Sequence, residues 1–131
     1  MSIVVGYVPT PVGEAAATAA ITEARLRGED LLVVNSAREG SLVETTVATD
    51  DDLDRVLAAA SDAGVDARVV RGTHRDDFSD EILELAERHD ATLIVIGLRR
   101  RSPVGKFIMG SVAQRILLQA EHPVLAVKPA S

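Results

Sequence analysis

Thr92-Leu93-Ile94-Val95-Ile96, closed by Gly97, is the run that decides the fold. A strand with one wet face alternates apolar and polar side chains. This one is apolar at every position after Thr92, so both of its faces are covered, as in a parallel sheet between helices. It is the most apolar strand of the chain and is expected at the centre of the sheet. Helical patterns flank it on both sides. Upstream, Ser79 is expected to cap a helix with Phe78 and Leu83 as its hydrophobic staple, and Ile82, Leu85 and Ala86 face inward. Downstream, Gly110 and Ser111 open a helix with Val112, Ala113, Ile116, Leu117 and Ala120 along one side. Pro123 to Val127 then forms a last strand.

The same alternation continues toward the N-terminus. Ile3 to Val8 is a β-branched run. Glu14 to Arg27 is alanine-rich, with Ala17, Ala20, Ile21 and Ala24 on one helical face and Gly28 as a left-handed cap. Leu31 to Val34 is a second buried strand, and Ser36 to Ala48 has mixed polarity without a clear period. Thr49 reads as an N-cap followed by Asp50, Asp51 and Asp52, carboxylates suited to the positive end of a helix dipole. Leu53, Val56, Leu57 and Ala60 form that helix's stripe, Gly64 ends it, and Asp66 to Arg71 holds a short strand around Val69 and Val70. The sum is β-α-β-α-β-α-β-α-β: an α/β fold, a doubly wound five-stranded parallel sheet sandwiched by four helices. One domain over residues 1–131 is expected; an eight-fold barrel needs roughly twice this length.

Composition narrows the function classes. Hydrophobic residues make up 47% and charged residues 26%, the balance of a globular protein with a sizeable core. Tyr7, Phe78 and Phe107 are the only aromatics, too few for a base-stacking platform, and the net charge of −6 disfavours nucleic acid and anionic membranes as partners. The absence of cysteine excludes disulfides, thiol catalysis and cysteine-ligated metals. No apolar run approaches a membrane span and no basic leader is visible, so a cytoplasmic protein is expected.

In an open α/β sheet, ligands bind beyond the carboxyl ends of the strands, where strand order switches. Two connections meet there: Pro9 to Gly13 after the first strand, and Gly97 to Met109 after the fourth. Residues 91–120 contain Arg99, Arg100, Arg101, Lys106 and Arg115 and no acid, a charge of +5, which leaves −11 on the remaining 101 residues. This basic cluster directly precedes a helix whose free amides favour anions. Gly110 permits close backbone approach and Ser111 adds a hydroxyl, together describing a phosphate site. The bland alternative is a glycine and a serine that merely start a helix, with the arginines facing water. A Walker loop is absent, because Arg100 stands at its first glycine and Phe107 follows Gly105-Lys106. No G-x-G-x-x-G occurs either.

Ile94-Val95-Ile96-Gly97, the basic loop, Gly110-Ser111-Val112-Ala113 and His122-Pro123-Val124-Leu125-Ala126-Val127 resemble the universal stress protein family, and the resemblance runs from about Ser2 to Pro129. It implies the adenine-nucleotide alpha-hydrolase-like fold with strand order 3-2-1-4-5. ATP-binding members carry Gly, two residues, Gly, nine residues, then Gly and Ser/Thr. Gly97, Gly110 and Ser111 match, and Arg100 replaces the second glycine. Many members also have an Asp-Gly-Ser-like stretch after the first strand, whose aspartate is associated with the nucleotide; here it reads Val8-Pro9-Thr10.

The resemblance implies a regulatory module that binds ATP or AMP, with magnesium only as the nucleotide's companion and without efficient catalysis. Gly97, Gly110 and Ser111 would hold phosphate, helped by Arg99 and Arg100. Pro9, Thr10 and Ser36 would line the base and ribose side, with Asn35 or Ser36 near the adenine. Arg100 either adds a charge-assisted contact or fills the pocket. The alternative is a nucleotide-free member acting through protein contacts. Pro123 to Val127 would be an uncharged sheet edge in this order, and family members commonly dimerise through that strand, so a homodimer is expected.

Other motifs carry less. His74, His89 and His122 have no paired spacing for a metal. Asp50-Asp51-Asp52 suits a helix start better than magnesium. His74-Arg75-Asp76-Asp77 reads as a helix approach, Arg99-Arg100-Arg101-Ser102-Pro103 is a short basic motif of a kind common by chance, and no nucleophile has an evident base.

Overall fold

The computed structural model describes residues 1–35, 49–70, 78–98 and 110–129. Nine elements alternate along them: β1 (Ser2–Tyr7), α1 (Pro11–Arg27), β2 (Asp30–Asn35), α2 (Asp50–Asp62), β3 (Ala67–Val70), α3 (Phe78–Arg88), β4 (Leu93–Gly97), α4 (Ser111–Gln119) and β5 (Val124–Val127). All neighbouring strands pair in parallel, in the order β3-β2-β1-β4-β5. The strand order and the four helices match the expected fold.

The two-residue period of a strand splits the sheet's side chains between two cores. Ile3, Val5, Tyr7, Leu31, Val33, Leu93 and Val95 point to the face covered by α1 and α2. There they meet Ala16, Ala17, Ala20 and Ala24 of α1, and Leu53, Val56 and Ala60 of α2. Val4, Leu32, Val34, Ile94 and Ile96 point the other way, onto Ile82, Leu85 and Ala86 of α3 and Ala113 and Ile116 of α4. The helix ends follow local chemistry. Gly28 and Gly64 both take left-handed φ, at 66° and 77°. Thr49 and Asp52 form a reciprocal capping box at the start of α2.

Four local expectations are corrected. The middle strand is β1, with β4 beside it; an all-apolar strand reports burial on both faces, and every interior strand of this sheet has that. Ser79 does not precede α3 but lies inside its first turn, fully buried, because the helix already includes Phe78. Leu117 is 37% exposed, since a step of one residue from buried Ile116 turns it off the core face. Helix α1 starts at Pro11 rather than Glu14, with the proline in the first turn, where its missing N–H leaves no bond unmade. Among the described residues no helix is long and apolar enough to cross a membrane.

Candidate functional site

Parallel strands with returning helices put every helix N-terminus at the carboxyl edge of the sheet. The topological switch lies between β1 and β4, the strands from which the chain departs to opposite faces. Two helix starts therefore flank the crevice, α1 on one face and α4 on the other.

The α1 side is closed on itself. Thr10 is the N-cap, and its hydroxyl oxygen accepts a hydrogen bond from the Gly13 N–H at 3.2 Å. Pro11 has no N–H, and Glu14 N–H already bonds to Thr10 O at 2.8 Å. The loop itself is tied down, because Thr10 N–H donates to Val8 O at 2.8 Å. Gly13 rests directly on that loop: a Cβ there would lie 1.7 Å from Val8 O. Gly97, the last residue of β4, is covered in a similar way. A Cβ on it would come within 2.3 Å of Val12 Cγ1 and 2.7 Å of Val12 O.

A polar chain anchors this side from below. Tyr7, fully buried at the end of β1, donates its hydroxyl to Glu14 Oε1. Arg55 Nη2 reaches the same oxygen at 2.8 Å and Asp52 Oδ1 at 3.3 Å. Asp52 in turn accepts from Thr49 N–H and Oγ1–H, both at 3.0 Å. Burial first, and then the bond to Glu14, pushes the Tyr7 phenol well above its ordinary pKa. The Asp52 carboxyl is held below its ordinary value mainly by its hydrogen bonds from Thr49. Sequence reading missed this network. Its only signal was a tyrosine inside an otherwise aliphatic strand, and no local pattern joins Tyr7, Glu14 and Arg55.

The α4 start has no side-chain cap. Gly110 is the N-cap, in extended conformation, with no side-chain cap hydrogen bond. Gln114 N–H bonds to Gly110 O at 2.9 Å and starts the helical ladder, so the amides of Ser111, Val112 and Ala113 precede it. Helix α1 has Glu14 in its first turn, α2 has three aspartates and α3 has Asp80 and Glu81, whereas α4 has no acid there. Arg115 is directed elsewhere, to Asp80 of α3 at 3.1 Å.

Of the residues expected to form the site, the structure brings Pro9, Thr10, Gly97, Gly110 and Ser111 to this one edge, and Asn35 ends β2 there, buried and in register with Tyr7. Ser36, Arg99 and Arg100 lie outside the described residues. Thr10's hydroxyl is engaged as a helix cap, and Gly97 is glycine for a reason of packing. No group of three or more His, Asp or Glu able to hold a metal occurs among the described residues. A depression of about 470 Å³ lies at the opposite, amino edge, beside Arg25, Glu29, Asp30 and Asp66; its three carboxylates make it unsuited to phosphate.

Comparison with known proteins agrees with the fold. The sequence profile of the universal stress protein family matches residues 1–128. A universal stress protein of Mycolicibacterium smegmatis is 43% identical over 127 residues, covering 97% of each chain. Among solved structures, a universal stress protein from Archaeoglobus fulgidus superposes with a TM-score of 0.83 at 33% identity, covering 98% of both chains. A structure of the universal stress protein from Archaeoglobus fulgidus in complex with dAMP gives 0.77 at 29% identity, again over 98% of both.

Proposed function

The chain belongs to the universal stress protein family, and from that premise we propose that it is a regulatory module that binds an adenine nucleotide or a phosphate anion at the loop after β4 and the start of α4, without efficient catalysis. The observation that carries this reading is the start of α4: three amides ahead of the helical ladder, no side-chain cap and no acid in the first turn, directly after the segment that concentrates the chain's positive charge. Helix-end amides and nearby cations each favour an anion, by about 0.3–1 and 1.5–3 kcal/mol per contact respectively. The relative that holds dAMP supports a purine nucleotide as the ligand class.

The residues present fit the phosphate end better than the ribose end. Gly110 and Ser111 offer backbone and hydroxyl donors to phosphate. On the opposite flank Val8 offers no carboxylate, and Thr10's hydroxyl oxygen already accepts the capping bond from Gly13, which leaves its O–H to donate. ATP and AMP are the candidate nucleotides, and magnesium would arrive only with the nucleotide. In this reading the protein works in the cytoplasm. Calorimetric titration with AMP, ATP and inorganic phosphate tests it. Saturable binding that weakens as salt rises is expected, since Ser111 at the start of α4 is exposed. Failure of all three ligands to bind at millimolar concentration overturns it.

A second reading, a dimeric module acting through protein contacts, is favoured by one observation. Edge strand β5 carries no charge, Leu125 on it is 36% exposed, and Leu118 on the adjacent α4 is 77% exposed. Pairing of two β5 strands about a two-fold axis would cover this edge. Light scattering at micromolar concentration decides it: a dimer mass is expected, and a monomer mass rules it out.

A further inference from the structure

Gly97 matches a nucleotide-binding pattern, yet its φ is not left-handed, so conformation does not require glycine there. Space does. A Cβ on Gly97 would sit 2.3 Å from Val12 Cγ1, 2.7 Å from Val12 O and 3.2 Å from Val12 C. The first of these contacts is a side-chain tip, but the other two are backbone, and no rotamer change relieves them. Val12 belongs to the first turn of α1, and its neighbour Gly13 presses on the backbone of Val8, the residue that follows β1. The start of α1 is thus seated in two places at once: through Gly13 on the loop that leaves β1 and through Val12 on β4.

We infer that Gly97 is a positioning residue of the crevice: its missing side chain is the seat of Val12, and through that seat β4 holds the first-strand loop, Val8 to Thr10, at a fixed offset from the start of α4. The inference rests on the proposed nucleotide site for its consequence but not for its geometry. A ligand that touches both flanks, such as an adenine nucleotide, depends on the offset. Inorganic phosphate, held at the α4 start alone, does not.

Two measurements test this. The first uses no ligand: thermal unfolding of Gly97→Ala, Val12→Ala and the double variant. The methyl that Gly97→Ala introduces meets both the Val12 side chain and its backbone, and Val12→Ala removes the first of these contacts, so the losses in melting temperature are expected to be non-additive, the double variant losing less than the two singles summed. Additive losses overturn the inference. If Gly97→Ala does not fold, alone or with Val12→Ala, the seat is as tight as its backbone contacts require; a Gly97→Ala variant that melts together with the wild type overturns the inference. The second measurement is calorimetry with AMP and with inorganic phosphate. Gly97→Ala, alone or with Val12→Ala if it folds only so, is expected to weaken AMP by about tenfold or more, comparable to losing one charge-assisted contact, and to leave phosphate within about twofold. Equal losses for both ligands would overturn the positioning role and make Gly97 a direct phosphate contact instead. Should the wild type bind neither ligand, the nucleotide reading falls, while the ligand-free cycle still decides this one.

Discussion

Helices α1 and α4 begin at the same edge of the sheet, on either side of the same crevice, and are built in opposite ways. At α1 the first amide is missing, because Pro11 has none, and the Gly13 amide is taken by Thr10; a carboxylate, Glu14, complements the dipole. At α4 the cap is a glycine without a side chain, and the amides of Ser111 to Ala113 meet no acid in their own turn. The first arrangement commits a helix terminus to stability. The second leaves one available to an anion. The chain distributes its charge accordingly, acidic overall and basic between residues 91 and 120. A helix terminus suited to an anion is marked as much by what its helix lacks as by what it carries.

The comparison breaks most forcefully at Gly13. If α1 is a structural terminus seated on the loop after β1, Gly13→Ala should cost about 3 kcal/mol or more, because the new methyl meets a backbone oxygen that cannot rotate away. Chemical denaturation measures it; a loss under about 1 kcal/mol, the range of ordinary surface changes, would mean the seat is soft.

Tyr7 sharpens the same side with a pH signature. Its phenol keeps its proton in the folded state, whereas the unfolded chain releases it near pH 10. The folded state then binds more protons, so stability is complete below about pH 10 and falls as pH rises beyond it. Tyr7→Phe removes the bond to Glu14, costs about 1.5 kcal/mol at neutral pH and flattens that alkaline fall. Denaturation midpoints between about pH 7 and 11 separate the outcomes; an unchanged alkaline slope in the variant would place the titrating group elsewhere.

The smallest stability effect is expected on the α4 side, and its sign is informative. Gly110 is extended, at φ −69° and ψ 162°, a conformation that aspartate adopts as an N-cap. Gly110→Asp should therefore stabilise the fold by a few tenths of a kcal/mol while removing anion binding, making α4 resemble α1. Melting temperature and phosphate affinity should move in opposite directions, and a variant that retained phosphate binding would detach the anion from this terminus.

Sequence reading reached as far as local chemistry allows. The Thr49 cap, the Gly28 cap and the inward faces of α2 and α3 were legible, because each is decided within one or two turns, whereas the reciprocal bond from Asp52 to Thr49 was not read. Strand order was legible only through the family resemblance, since β1 and β4 are both buried on two faces and look alike from within. The spacing from Gly97 to Gly110 and Ser111 was legible, but the packing around Gly97 was not: its neighbour Val12 is distant in the chain and is brought there by the fold. The Tyr7–Glu14–Arg55 chain escaped for the same reason. The expectations for Ser36, Arg99 and Arg100 fall outside the described residues.

The most direct test of the contrast is an amide NMR titration of the wild-type protein with inorganic phosphate and with AMP. Saturable shifts are expected at the Ser111, Val112 and Ala113 amides with both ligands, while Val12, Gly13 and Glu14 stay still under phosphate. Shifts centred on α1, or none at α4 with either ligand, would contradict the account.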